Sequence, residues 1–163
     1  MMATRLRAGI QFKGVESIMN PSTIRPTPVH LWIVGILALL WNLMGAFDFT
    51  ATQLNFEFYL EGFSDEQLLY FSSFPLWIVI AWGLAVWTAV FGSIALLMRS
   101  RHAVALFWVS LLAMAMTSFY NFVLSEGLEM MGTGGAIFSA IIALIAILLV
   151  VYSHAMRRRG VLR

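Results

Sequence analysis

The sequence predicts an all-α fold: a four-helix transmembrane bundle, up-down-up-down, with a short interfacial helix in its first outer loop. Three observations lead there. Of the 163 residues, 61% are hydrophobic and 11% are charged, against roughly 25% charged in a soluble domain. The apolar residues are gathered into runs near the ~20 residues that a helix needs to cross a bilayer. The few charges are sorted by sign to alternate ends of those runs.

Residues 1–28 form a polar, basic tail (Arg5, Arg7, Lys13 and Arg25 against Glu16) that ends in Pro26 and Pro28. No apolar core precedes a small-residue cleavage site, so it is not a signal peptide. Three readings of it stand: a weak amphipathic helix over Ala8–Met19 on a lipid surface, a disordered tail, or a true start at Met19. The transmembrane domain covers 29–155, with spans at about 30–52, 75–98, 102–123 and 136–155. The first span is apolar until Asn42, Gly45 and Asp48 interrupt it. An acidic, aromatic loop follows. There Ser64-Asp65-Glu66-Gln67 fits a capping box ahead of Leu68–Phe71, and Phe56, Phe58, Tyr59, Phe63, Tyr70 and Phe71 suit interfacial anchoring. Pro75 fits the first turn of the second span, where a missing N–H costs nothing. The Arg99-Ser100-Arg101 turn is too short for anything but an antiparallel return. A Gly-rich acidic loop over 125–135 precedes the fourth span, and a basic tail at 156–163 closes the chain.

Sidedness follows from the charges. All 10 Lys and Arg residues lie in the two tails or the 99–101 turn. Every acidic residue except Glu16 lies at the other side: Asp48, Glu57, Glu61, Asp65, Glu66, Glu126 and Glu129. By the positive-inside rule both termini are cytoplasmic and both long loops are outside. The basic balance is thus a topological signal and not a nucleic-acid footprint, and the expected partner is the lipid bilayer.

Each span carries small or polar residues at helical spacing: Gly35, Ala38, Asn42, Gly45, Thr52; Ala81, Ala85, Ala89, Gly92; Ala103, Ser110, Ala113, Thr117, Asn121; Gly135, Ser139, Ala143, Ala146. Lipid gives helices no hydrophobic reason to associate, so close backbone approach and interhelical hydrogen bonds must hold them. These faces are expected to line the interior. The outer halves also collect a polar cluster (Asn42, Asp48, Gln53, Thr117, Tyr120 and Asn121), with Trp77 at the same level. Two roles for Asp48 are open. It accepts hydrogen bonds from Tyr120 or Asn121 and locks helices together, or it anchors a small pocket walled by Trp41, Phe47, Trp77 and Trp82.

Other chemistry finds little support. Cysteine is absent, which excludes disulfides and thiol nucleophiles. His30, His102 and His154 fall at basic span ends without recognised metal-ligand spacing, and the 10 methionines suit adaptable packing. No nucleophile elbow, P-loop, zinc-protease or dinucleotide fingerprint occurs. No cofactor, metal or catalytic residue is expected.

The stretches His30-Leu31-Trp32-Ile33-Val34-Gly35, Trp41-Asn42-Leu43-Met44-Gly45-Ala46-Phe47-Asp48 and Phe74-Pro75-Leu76-Trp77 resemble a family of small, uncharacterised four-span membrane proteins of proteobacteria. Some of its members carry an automatic label of sugar transporter. The resemblance implies a bacterial inner-membrane protein and brings no binding residues. The sequence reading is then a non-enzymatic protein that binds a small amphiphile, a lipid or a partner subunit through its outer polar face. It acts alone, as a homo-oligomer or as a membrane-complex subunit. The rival from another class is a small dimeric transporter of a solute such as a sugar, which would need a polar path through the full depth.

Overall fold

The structure, a computed structural model, describes residues 27–163; the readings of the segment before them lie outside the described residues. All regular elements among the described residues are helical. Four long helices carry the fold: α1 (Val29–Gln53), α4 (Leu76–Leu97), α5 (His102–Phe119) and α6 (Gly127–Arg158), with the short α2 (Glu57–Leu60) and α3 (Asp65–Ser72) between the first two. All four long helices are long and apolar enough to cross a membrane. The 22 residues of α4 span about 33 Å at 1.5 Å per residue, close to the ~30 Å of bilayer hydrocarbon.

Helix α4 is the centre of the bundle, packed on α1 at one side and α5 at the other, and α6 leans on α5. Small residues make this possible. Ala81, Ala85, Ala89 and Gly92 of α4 are buried, as are Ser110 and Ala113 of α5 and Gly35 and Ala38 of α1. Interhelical hydrogen bonds run through the same seams. The Ser110 hydroxyl donates to Ala85 O at 2.7 Å, and Asn42 Nδ2 donates to Ser93 Oγ at 2.9 Å. Ser93 itself donates to Ala89 O, so the buried polar atoms of α4 are satisfied within the protein.

The helix ends show why the turns form. Asn55 after α1, Arg99 after α4 and Gly160 after α6 all take positive φ (52°, 56° and 72°). At each, the next residue's N–H reaches back to a free carbonyl of the last turn: Phe56 to Ala51, Ser100 to Ala95 and Val161 to Met156. This is the Schellman closure. At Arg99 a residue with a Cβ takes a conformation that costs about 1–2 kcal/mol, while its guanidinium donates to Thr27 Oγ1 at 2.8 Å.

Two regions differ from the sequence reading. The expected loop over 125–135 is helical from Gly127 onward, with a single break at Gly132 (φ 63°, ψ −172°). That backbone region is open essentially to glycine alone. The clustered glycines read as a loop, yet only this one leaves helical geometry. The second difference is at 156–163, expected as a tail. Here α6 runs to Arg158 and the chain then folds back under the bundle. Arg101 N–H donates to Arg163 O and Arg163 N–H donates to Arg99 O, both at 2.8 Å. This clip seats Leu162 at 4% exposure beside Met156, Leu31, Leu96 and Ala103.

The densest apolar packing therefore sits at the basic end. Replacing Leu162 with Ala is expected to remove about 2 kcal/mol or more of stability through lost burial and a residual cavity. Reversible unfolding in mixed micelles measures it, and an unchanged midpoint would show that the clip contributes nothing.

Candidate functional site

At the opposite end, α2 and α3 fold over the bundle as a cap. Helix α3 starts at Ser64, whose hydroxyl accepts from Gln67 N–H while Gln67 Oε1 accepts from Ser64 N–H. Both arms of the expected capping box are thus made. Asp65 and Glu66 occupy the first turn, where carboxylates favour the positive end of the helix dipole. With Glu57, Glu61, Glu126 and Glu129 they leave the surface at this end of the bundle acidic and exposed.

Two phenols tie the cap to the long helices. Tyr59 OH donates to Asp48 Oδ1 at 2.5 Å, joining the cap to α1. Tyr70 OH donates to Asn121 Oδ1 at 2.8 Å and lies 2.7 Å from Ser125 Oγ, joining α3 to the end of α5. There, directly after α5, the helix continues as a π turn over Tyr120–Leu124, a distortion common where a helix does more than span. Gly127 sits directly beneath. A Cβ at that position would lie 2.5 Å from Asn121 O and 2.7 Å from Tyr70 OH.

Aromatic rings fill the space between these ties. Edge-on pairs run from Phe47 to Tyr59 (5.5 Å between centroids), Phe63 to Phe71 (5.7 Å), Tyr70 to Phe74 (5.0 Å) and Trp77 to Tyr120 (5.6 Å). Each such pair is worth about 0.5–1.5 kcal/mol beyond its buried area.

The residues singled out from the sequence fall into several places. Asp48 and Asn121 are both in the ties, each with a cap phenol as partner. The expected bond between Asp48 and Tyr120 or Asn121 is replaced by Tyr59, which the loop brings closer. Tyr120 and Trp77 meet each other edge-on. Thr117 Oγ1 donates to Met114 O within its own helix at 2.8 Å. Asn42 belongs to the α1–α4 seam, and Gln53 is the half-buried last residue of α1. Of the rings expected to wall one pocket, Phe47, Trp82 and Trp77 belong to one run of ring contacts through Tyr59, Phe63, Phe71, Phe74 and Tyr120, while Trp41 packs apart on Phe138. Tyr59 and Tyr70 read from sequence as interfacial anchors; a hydroxyl within reach of a carboxamide or carboxylate emerges only from the fold. The histidines engage Tyr152 (His30, 2.6 Å), Ser100 (His102, 3.0 Å) and the Trp108 ring (His154). Among the described residues no group of His, Asp or Glu converges as a metal site.

Burial, then the hydrogen bond to Asp48 and its charge, holds the Tyr59 phenol well above its ordinary range. Burial raises Tyr70 too, with the Ser125 contact pulling the other way.

Fold and site together define an all-helical, multi-pass integral membrane protein with four candidate spans and an aromatic cap. In comparisons with protein-family models, curated proteins and solved structures, nothing matches the chain.

The cap ties generate two predictions. A phenol whose folded-state pKa is raised favours folding below its unfolded value, and that contribution is lost as pH climbs above about 10. Ultraviolet tyrosinate titration should show a late-ionising step that Tyr59→Phe removes, with faster chymotryptic cleavage of the cap in that variant. Loss of an ordinary-range ionisation in Tyr59→Phe, with every late-ionising step intact, would refute the tie. Gly127→Ala should destabilise by about 1–3 kcal/mol, because the clash is with backbone and overpacking of this kind is not relieved cheaply. A fully stable Gly127→Ala protein would mean that the Asn121 turn is not held as described.

Proposed function

We propose that this chain is a non-enzymatic protein of the bacterial inner membrane, with both termini cytoplasmic, that binds a small amphiphile through its outer cap. The observation that carries the reading is the pair of phenol ties. Releasing Tyr59 from Asp48 and Tyr70 from Asn121 frees a carboxylate and a carboxamide beneath a lid of aromatic rings. An apolar body with a few placed polar groups is what binding sites for small molecules use. The acidic rim of Glu57, Glu61, Asp65 and Glu66 favours a head that is cationic or donates hydrogen bonds. The charge asymmetry supports the orientation. The resemblance of His30–Gly35, Trp41–Asp48 and Phe74–Trp77 to small proteobacterial four-span proteins supports the compartment.

A small transporter of a solute such as a sugar fits less well. It needs a polar path across the full depth, and the basic end is filled by Leu31, Leu96, Phe107, Leu149 and Met156. Asn42, Ser93 and Ser110 lie deeper than the cap, and each is bonded within the helix seams.

Orientation is tested by cysteine labelling of intact cells with an impermeant reagent. Glu61→Cys should react from outside and Ser100→Cys should not; the reverse pattern inverts the topology. Binding is tested by thermal shift of the purified protein with a long-chain alkylamine and an alkyl sulfate of equal length. The amine should stabilise the wild type and leave an Asp48→Asn/Asn121→Ala protein unmoved. Equal shifts in both proteins would remove the cap as the site, and co-purification of a stoichiometric protein subunit would favour a partner over an amphiphile.

A further inference from the structure

The basic end of the bundle holds a cavity of about 420 Å³ between α5 and α6, with Arg101, His102, Trp108, His154 and Arg157 on its walls. We propose that it is a site for the phosphate headgroup of an anionic phospholipid. This inference rests on none of the outer-cap reading.

Two helix ends bring these basic side chains together. Arg101 and His102 open α5. His154 and Arg157 are three residues apart on α6 and so share one face near its end. Two helix ends thus bring two guanidinium and two imidazole groups to one concavity. Among the described residues, no acidic side chain stands at this end of the chain to neutralise them. Guanidinium matches phosphate oxygens with paired, charge-assisted hydrogen bonds and is more weakly hydrated than ammonium, so it gives up water readily. The Ser100 hydroxyl, 3.0 Å from His102 Nδ1, orients that ring. The His154 ring stands edge-on to Trp108, with centroids 6.3 Å apart and planes at 89°.

The choice of a lipid over a free anion comes from the rest of the lining. Val104 and Ala105 continue the wall along α5, and Trp108 is 43% exposed within the first turns of a candidate span. Tryptophan prefers the headgroup level of a bilayer. A free phosphate would leave that apolar wall and ring uncovered, whereas a phospholipid sets its headgroup on the cations and its glycerol and acyl carbons along α5. Basic pockets between transmembrane helices recognise anionic headgroups in this way.

Native mass spectrometry of the full chain released from mild detergent tests the site. The probes are phosphatidylglycerol, phosphatidylcholine of the same chains, and inorganic phosphate as competitor. Phosphatidylglycerol adducts should survive on the wild type, and on an R158Q/R159Q protein that loses the same charge outside the cavity. An R101Q/R157Q protein should lose them about tenfold or more, given roughly a kcal/mol for each cation at a charged headgroup. Equal retention of phosphatidylcholine, or equal loss in both double variants, would reduce the effect to diffuse charge and overturn the proposal. Displacement by inorganic phosphate would overturn the lipid assignment in favour of a free anion. Should R101Q/R157Q fail to fold, Trp108→Ala takes its place. It should weaken phosphatidylglycerol adducts several-fold, and undiminished adducts would refute the site.

Discussion

Within bilayer hydrocarbon no water is at hand to satisfy a polar atom, and no hydrophobic force draws one apolar helix to another. What remains is close contact between backbones and hydrogen bonds made inside the protein. The face of α4 formed by Ala81, Ala85, Ala89 and Gly92 is where this chain meets that requirement. With side chains so short, α5 approaches until Ser110 can reach the Ala85 carbonyl, and α1 until Asn42 can reach Ser93. Larger residues along that face would push α5 outward and leave Ser110 without its acceptor. Everything else in the fold is arranged about this seam.

The two ends of the bundle are closed by different chemistry. At the basic end the closure is apolar and covalently local: Leu162 is tucked in by a chain reversal at Gly160 and by a two-bond clip to the 99–101 turn. At the acidic end the closure is made by rings and phenols on a separate piece of chain, α2 and α3. A plug of hydrocarbon is hard to displace without exposing it to water or headgroups. A cap held by phenol hydrogen bonds to Asp48, Asn121 and Ser125 and by edge-on rings is easier to lift.

Much of this was legible from the residues in order. The four spans, the inward small residues of α1, α4 and α5, the capping box at Ser64 and the tight return at Arg99 follow from periodicity, length and local hydrogen-bonding chemistry, whereas on α6 the expected Gly135, Ser139, Ala143 and Ala146 are only half-buried and Leu149, Val150, Ser153 and Met156 are the buried face. Those rules act over a few residues. The partners of Asp48 and Asn121 did not follow, because Tyr59 and Tyr70 reach them only after the loop folds back, and sequence alone ranks such phenols as surface anchors. Glycine-rich stretches misled in a related way. Gly134 and Gly135 remain helical because the membrane setting rewards helix more than low intrinsic propensity penalises it. Only Gly132 adopts the conformation that its neighbours cannot.

That single break has a mechanical consequence. Beyond its break at Gly132, helix α6 runs unbroken to Arg158, roughly 39 Å at 1.5 Å per residue, longer than the ~30 Å of hydrocarbon, and a long rod answers a thinner bilayer by tilting. Gly132 separates the rod from the short segment that begins at Gly127, under Tyr70. The direction of the segment beneath Tyr70 is thus set apart from the direction of the longer rod.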